Sequence, residues 1–386
     1  MPRICLICRH YVKYHTGGAE VQVHILAREF QKKGWDVHCI ASDIPGREDD
    51  EGITLHPFVR DRCKVTATLD DIDADIFYQR GRTFHVDTFA RYAKRNGRPF
   101  ILGFSRDDDC RRFAHAPLVF SRERGNPAKL VWGLLLACRT DITSLRGMRT
   151  ATTIVCQTRQ QREMLKHNLN IAAHVLNNIH PVPNQEEIRK REPPMILWLA
   201  NLKKWKQPEA FLELAGRCQD VDCRFVLAGK MASSEYRLPV NEALARFNNL
   251  EYCEDVDFRE SNRLIGSASV FVNTSLSHEG LPNTFIQSWL REVPTISLNV
   301  DPDDMIKQER VGYHSGSMDR MEADLRRLIS DAELRTEMGR TARAFAVERF
   351  GVEKNFGRFY EMAEKLIDGS PASSAATDPD SGIADE

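Results

Sequence analysis

Residues 277–290 read SHEGLPNTFIQSWL, and two side chains there are suited to holding an oxygen-rich ligand. Glu279 follows an apolar run, and Gly280 and Pro282 then turn the chain. Asn283 opens a stretch with helical spacing, and Gln287 lies eight residues beyond Glu279, about two turns along that helix. The start of a helix presents unpaired N–H groups and a partial positive charge, a setting for anions or hydroxyl-rich groups. A carboxylate and a carboxamide with amides between them could grip two polyhydroxylated parts of one ligand. A surface turn carrying an acidic residue is the competing reading.

Positioning such a site requires a strand before it and a helix after it, and the chain repeats that unit throughout. Residues 4–8 are a short apolar run fit for a buried parallel strand. A polar loop through Gly17 and Gly18 follows, then Val21, Ile25, Leu26 and Phe30 at helical spacing, a stop at Gly34, and a second strand over 35–42. Further strands are expected at 76–78, 100–104 and 153–156, with helices near 86–95 and 158–167. Residues 184–194 (NQEEIRKREPP) are charged, end in Pro-Pro and lack apolar periodicity, so they read as an interdomain linker. A second series starts at once, with strands at 195–199, 224–228, 250–252, 270–273 and 295–297. Helices are expected at 208–217, 259–265 and 283–290, and helical periodicity then runs over 319–350 and on to 366. The tail from 370 to 386 is rich in Ser, Ala, Asp and Pro and reads as disordered. Strands alternating with helices in two halves imply two doubly wound parallel sheets, with ligands at the carboxyl ends of strands and a natural site in a cleft between domains.

The run EGLPNTFIQSW resembles the signature of the family 4 retaining glycosyltransferases, in which a Glu is followed, after seven residues, by a second Glu. Glu279 matches the first, and Gln287 stands at the second. The resemblance implies a GT-B fold, two Rossmann-like domains facing each other across a cleft. Residues 1–183 would take the acceptor and 194–350 the nucleotide-sugar donor, with a last helix over 351–369 packing back on the first domain. It implies that Glu279 and the backbone of Gly280, Leu281, Pro282 and Asn283 hold the donor sugar and that Gln287 faces the ribose. A carboxamide there can donate and accept but lacks a charge-assisted bond. The segment NLKKWKQP follows the first strand of the second half. Lys206 matches a family Lys that meets the pyrophosphate. Asn201 occupies the usual Arg position, so Lys203 or Lys204 would supply the other charge, without the bidentate fork of Arg. Gly17 and Gly18 resemble the family's glycine loop. Many relatives carry a His near the reacting sugar; here that strand end reads FSRDDDC, placing Ser105 there, with Asp107, Asp108 and Asp109 as candidates for acceptor contacts and His85 as another. Three consecutive carboxylates could also bind a divalent metal, but the family's enzymes usually need none and no metal is expected. An exposed loop is the plain alternative.

The implied reaction is transfer of a sugar, with retained configuration, from a nucleoside-diphosphate sugar to a glycan or lipid-linked acceptor, as in polysaccharide or lipopolysaccharide assembly. The donor is a co-substrate and no cofactor is implied. A sugar-nucleotide epimerase or hydrolase, and a catalytically silent relic that binds sugar nucleotides, remain open. A dehydrogenase is disfavoured, because no GxGxxG follows the first strand, and no phosphate-loop motif occurs.

Composition agrees with a globular enzyme. The 386 residues suffice for two domains, and a net charge of −1 gives no global field toward nucleic acid. Ten cysteines lie scattered, and Cys5 and Cys8 fall within an apolar run, so they read as buried strand thiols in a reducing compartment. With no apolar leader visible, a cytoplasmic location is expected, with peripheral contact at the inner membrane face left open. That contact is suggested by residues 106–149, which carry Arg111, Arg112, Arg122, Arg124, Lys129, Arg139, Arg146 and Arg149. Within them VWGLLLA (131–137) is too short to span a bilayer and reads as the buried face of a helix. Together, the basic and apolar residues could instead form a surface for a lipid-linked or anionic acceptor.

Overall fold

The computed structural model describes residues 1–371 apart from 16, 60, 84, 117–118, 120–126, 255 and 277–278. The chain divides into two units, Met1–Ile179 with the chain from Asn355 onward, and His180–Lys354. Each is an α/β unit built on a largely parallel sheet.

Unit 1 begins with β1 (Arg3–Ile7), α1 (Gly18–Lys32) and β2 (Asp36–Ala41). A hairpin of β3 (Glu48–Asp50) and β4 (Ile53–Pro57) follows, then α2 (Arg62–Ile72), β5 (Ile76–Arg80), α3 (Val86–Arg95) and β6 (Phe100–Gly103). The long helix α4 (Pro127–Thr150), β7 (Thr153–Cys156), α5 (Arg159–Leu169) and the short β8 (His174–Val175) complete it. The strands lie in the order β3-β4-β2-β1-β5-β6-β7-β8, and only β3 runs antiparallel to its neighbour. Strands covered on both faces are largely apolar, and β6, FILG, is buried at all four residues.

Unit 2 runs β9 (Met195–Leu199), α6 (Pro208–Arg217), β10 (Arg224–Ala228), α7 (Arg237–Arg246), β11 (Leu250–Cys253), α8 (Phe258–Ser267) and β12 (Val270–Asn273). It continues through α9 (Asn283–Trp289), β13 (Thr295–Ser297), α10 (Met305–Gln308), β14 (Gly312–His314), α11 (Met318–Ser330) and α12 (Ala332–Phe350). The sheet order is β11-β10-β9-β12-β13-β14, with every pairing parallel. Successive residues of a strand point to opposite faces. Accordingly Ile196 and Trp198 pack in one core cluster with Phe225 and Val272, while Met195, Leu197 and Leu199 pack in another with Phe271 and Trp289. The last helix, α13 (Val352–Ile367), carries the chain back into unit 1, where Phe356 and Phe359 pack edge-on against Phe30 of α1.

Two expectations are corrected. The charged segment 184–194 lies inside unit 2. Asn184 and Glu187 form a capping box, and the backbone N–H groups of Arg189 and Arg191 donate to the carbonyls of Gly266 and Ser267. A side chain at Gly266 would place its Cβ 2.1 Å from the Glu187 carbonyl oxygen, so glycine is what lets this segment lie against α8. Secondly, 131–137 is not the buried face of α4. Only Ala137 is buried there, and Val131, Trp132, Leu135 and Leu136 are exposed. The helix packs through Ala137, Asp141, Ser144 and Met148, a row of mostly small and polar residues whose spacing is as helical as that of the apolar run. Arg122, Arg124 and the tail beyond 371 lie outside the described residues.

Candidate functional site

The strand order of unit 2 reverses direction between β9 and β12. The connection after β9 leads to one side of the sheet and that after β12 to the other, so the two strands open a crevice at their carboxyl ends. Both loops at that point carry residues singled out above.

The β9 loop makes a single 3-10 turn over Lys204–Lys206 and enters α6 through Gln207, at φ 48°, and Pro208 at its first turn. The β12 loop returns through Glu279 and Gly280, the latter at φ 66°, and enters α9 behind Pro282. Ser277 and His278 lie outside the described residues. The loops are stitched together. Trp198 Nε1 donates to Thr274 Oγ1 at 2.8 Å, and that oxygen lies 2.8 Å from the carbonyl oxygens of both Lys206 and Gln207. The Leu276 N–H donates to the Trp205 carbonyl at 2.8 Å. On the far side of the β9 loop, Gly229 sits at φ +133° where any Cβ would lie 2.0 Å from the Ala200 carbonyl oxygen.

This stitching brings Lys206 Nζ onto Glu279 Oε1 in a direct ion pair, with side chains only 14% and 7% exposed. Asn273 Nδ2 donates to the other carboxylate oxygen at 3.3 Å, and the ammonium lies 4.3 Å from the centre of the Trp205 ring. Burial, then the neighbouring Lys203, pull the Lys206 pKa down to about 7, and the adjacent Glu279 carboxylate opposes that pull. Lys203 and Lys204 are exposed at the mouth of the turn, and Asn201 is half-buried behind them.

The remaining residues of the motif divide by role. Leu281 is 2% exposed and its side chain belongs to the apolar core with Phe285 and Trp289, so only its backbone can face a ligand. Pro282 has no N–H to donate. Asn283 Oδ1 pairs with Nε2 of His180 at 3.0 Å, and burial holds that imidazole at a pKa of about 4, hence neutral. Gln287 is buried and donates to Asn262 Oδ1 on α8 at 3.1 Å.

In unit 1 the expected residues also fall at carboxyl ends of strands. Gly17 caps α1 after β1, and Gly18 is its first residue. His85 precedes α3 after β5, with its ring 4.0 Å from that of Phe58. Ser105 and the three aspartates follow β6, and the aspartates diverge. Asp107 accepts from Gln161 Nε2 at 2.9 Å, Asp108 lies 3.6 Å from Arg111, and Asp109 is buried beside Arg106 at 3.7 Å. Three side chains with three separate partners do not form one ligand set.

Sequence reasoning missed Asn273, Thr274 and Trp198, which hold the two loops together. Its one available signal was the change from apolar to polar at the end of VFVNTS. It also missed the buried Asp141 on α4, which accepts from the backbone N–H groups of Ala114 and His115 and pairs with the His115 ring at 2.7 Å and with Arg82 at 3.4 Å.

Residues 183–345 match the family model described as glycosyl transferases group 1. No curated protein matches the chain. Among solved structures, a sucrose-phosphate synthase from Thermosynechococcus elongatus superposes with a TM-score of 0.73 at 11% identity, covering 96% of this chain and 100% of that one. HepE from Anabaena in complex with UDP-glucose gives 0.67 at 13% identity over 94% and 100% of the two chains. A glycosyltransferase from Rickettsia africae gives 0.70 at 14% identity over 96% and 99%. The chain has the fold of the GT-B glycosyltransferases, two Rossmann-like units.

Proposed function

We propose that the protein transfers a sugar, with retained anomeric configuration, from a nucleoside-diphosphate sugar to a glycan or lipid-linked acceptor, the acceptor being taken by unit 1 and the protein working at the periphery of a membrane. The observation that carries this reading is the Lys206–Glu279 pair at the switch point of unit 2, inside the segment that matches the group 1 model. UDP-glucose in the HepE complex is the kind of donor it would take.

The chemical demand is a leaving group that gathers negative charge as the sugar–phosphate bond breaks. A positioned ammonium in a half-dry crevice stabilises that charge more than water does. Lys206 supplies it, with Lys203 or Lys204 at the mouth as further support for the pyrophosphate. Glu279 accepts from the donor-sugar hydroxyls and orients the ring, and Gln287 is assigned to the ribose. No side chain is assigned as a covalent nucleophile. Before the donor arrives, Lys206 and Glu279 satisfy each other; donor binding exchanges that contact for one to phosphate and one to hydroxyl.

Thermal shift against UDP-, GDP- and ADP-sugars, followed by product analysis with and without acceptors, tests the proposal. Donor binding together with acceptor-dependent transfer supports it. Conversion of donor without acceptor would indicate an epimerase or hydrolase, and absence of binding to the whole panel would indicate a silent relic.

A further inference from the structure

Helix α4 presents a face unlike the rest of the protein. One row along it runs Val131, Leu135, Ile142 and Arg149, and the adjacent row runs Trp132, Leu136, Arg139 and Arg146. Steps of three, four and seven residues keep each row on one side of a helix. All eight side chains are exposed, with Trp132 at 65%, Leu135 at 62% and Val131 at 59%. The opposite side, through Ala137, Asp141, Ser144 and Met148, is the one that is buried. Apart from Leu145 and Met148 near its end, the polarity of the helix is therefore inverted: its large apolar residues face out and its small and polar ones face in. Proteins seldom expose so continuous an apolar patch without a partner for it.

Charge identifies the partner. The sequence of α4 contains one carboxylate, Asp141, which is 1% exposed and engaged by Arg82 and His115. Asp87, the one acid of α3, lies in a surface groove with Leu135, Arg139, Ile142 and Arg146 of this face and is bound to Arg91 at 2.6 Å. The outward face thus offers apolar bulk toward its start and arginine toward its end, with no acid of its own. A second copy docked through the same face would bring further arginines and no carboxylate to meet them. A surface with an apolar interior and anionic headgroups meets both halves. Trp132 is suited to the boundary between them. No helix among the described residues is long and apolar enough to cross a bilayer, so α4 would lie along the surface.

We propose that α4 is a membrane-docking element that lays Val131, Trp132, Leu135, Leu136 and Ile142 into the headgroup region of an anionic bilayer while Arg139, Arg146 and Arg149 bind its lipid phosphates. The proposal deepens the membrane part of the function given above and rests on it. Its test uses no sugar donor, so failure of one leaves the other to be judged on its own.

The experiment is co-sedimentation of the full chain with phosphatidylcholine vesicles with and without phosphatidylglycerol. Binding is expected only with the anionic lipid, and should fall steeply as salt rises from about 0.05 to about 0.5 M. Trp132→Glu with Leu135→Glu should weaken it at least about tenfold. Arg139→Glu with Arg146→Glu should weaken it at least about 25-fold, from about fivefold per charge removed. These residues are exposed, and unchanged urea midpoints and circular dichroism will show that the variants fold. Equal binding to neutral vesicles, no binding at low salt, or wild-type binding by both double variants would each overturn the proposal. So would a dimer in lipid-free solution that the Trp132→Glu, Leu135→Glu variant dissociates, since the face would then belong to a second copy.

Discussion

Lys206, in the loop after β9, donates to Glu279, in the loop after β12, across 73 residues of chain. Neither side chain would be well placed alone. The Thr274 hydroxyl, held by Trp198 from below, fixes the backbone of the lysine turn, and Asn273 fixes the carboxylate. The pair is thereby held ready at the one edge of the sheet where loops diverge, and most of what the proposed function predicts runs through it.

Replacing Glu279 tests the sugar contact. Charge-assisted hydrogen bonds contribute about 1.5–3 kcal/mol. Glu279→Ala is expected to fold, to bind a nucleotide-sugar donor roughly 10- to 150-fold more weakly by calorimetry, and to lose most transfer activity. Unchanged donor affinity in the folded variant would remove Glu279 from the site.

The depressed pKa of Lys206 predicts opposite effects of pH on binding and on stability. The ammonium is the form that meets phosphate, so donor affinity should decline as pH rises above about 7. In the unfolded chain the amine keeps its proton until about pH 10.4. Between these values the unfolded state binds more protons, and the contribution of Lys206 to stability therefore rises with pH. Lys206→Arg should abolish the decline in affinity between pH 7 and 9. A flat affinity profile in the unaltered protein would show that Lys206 stays charged throughout.

His180 is 2% exposed, and burial lowers its pKa to about 4. The unfolded chain binds a proton at His near pH 6.5, the folded chain only near 4. Stability from this group is present above pH 6.5 and is lost as pH falls toward 4, by up to about 3 kcal/mol. Urea unfolding of the protein and of His180→Gln at pH 7 and pH 4.5 should show a smaller drop in the variant. Equal drops would place the acid sensitivity elsewhere, for instance at His56, whose pKa burial also lowers to about 4.

Gln287→Glu places a carboxylate at the position assigned to the ribose. Gln287 is buried and bonded to Asn262, whose amide can turn to donate to the new carboxylate. The variant is expected to remain folded and to bind donor at least as tightly as the unaltered protein. A loss of tenfold or more in donor affinity would mean that this side chain does not face the ribose.

The sequence by itself determined the alternation of strands and helices, because strands buried on both faces are largely apolar. MILWL, RFVLA, VFVN and TIS stand as strands at the residues their patterns predicted. It also marked the two loops of the candidate site, since lysines and an acid directly after apolar strands are conspicuous in type and position. Local pattern did not reveal the small strands at 48–57, where pairing, not composition, makes the hairpin. It placed a linker at 184–194, because backbone bonds to Gly266 and Ser267 leave no mark on the charged side chains. It turned α4 the wrong way round, because hydrophobic period gives the direction of a face only if the neighbouring element accepts it, and α3 offers α4 a surface met by Gly147 and small side chains. The contact of Lys206 with Glu279 is likewise a matter of tertiary structure alone. Two residues far apart in the chain meet only when their strands become neighbours, and that adjacency is set by the order of the whole sheet.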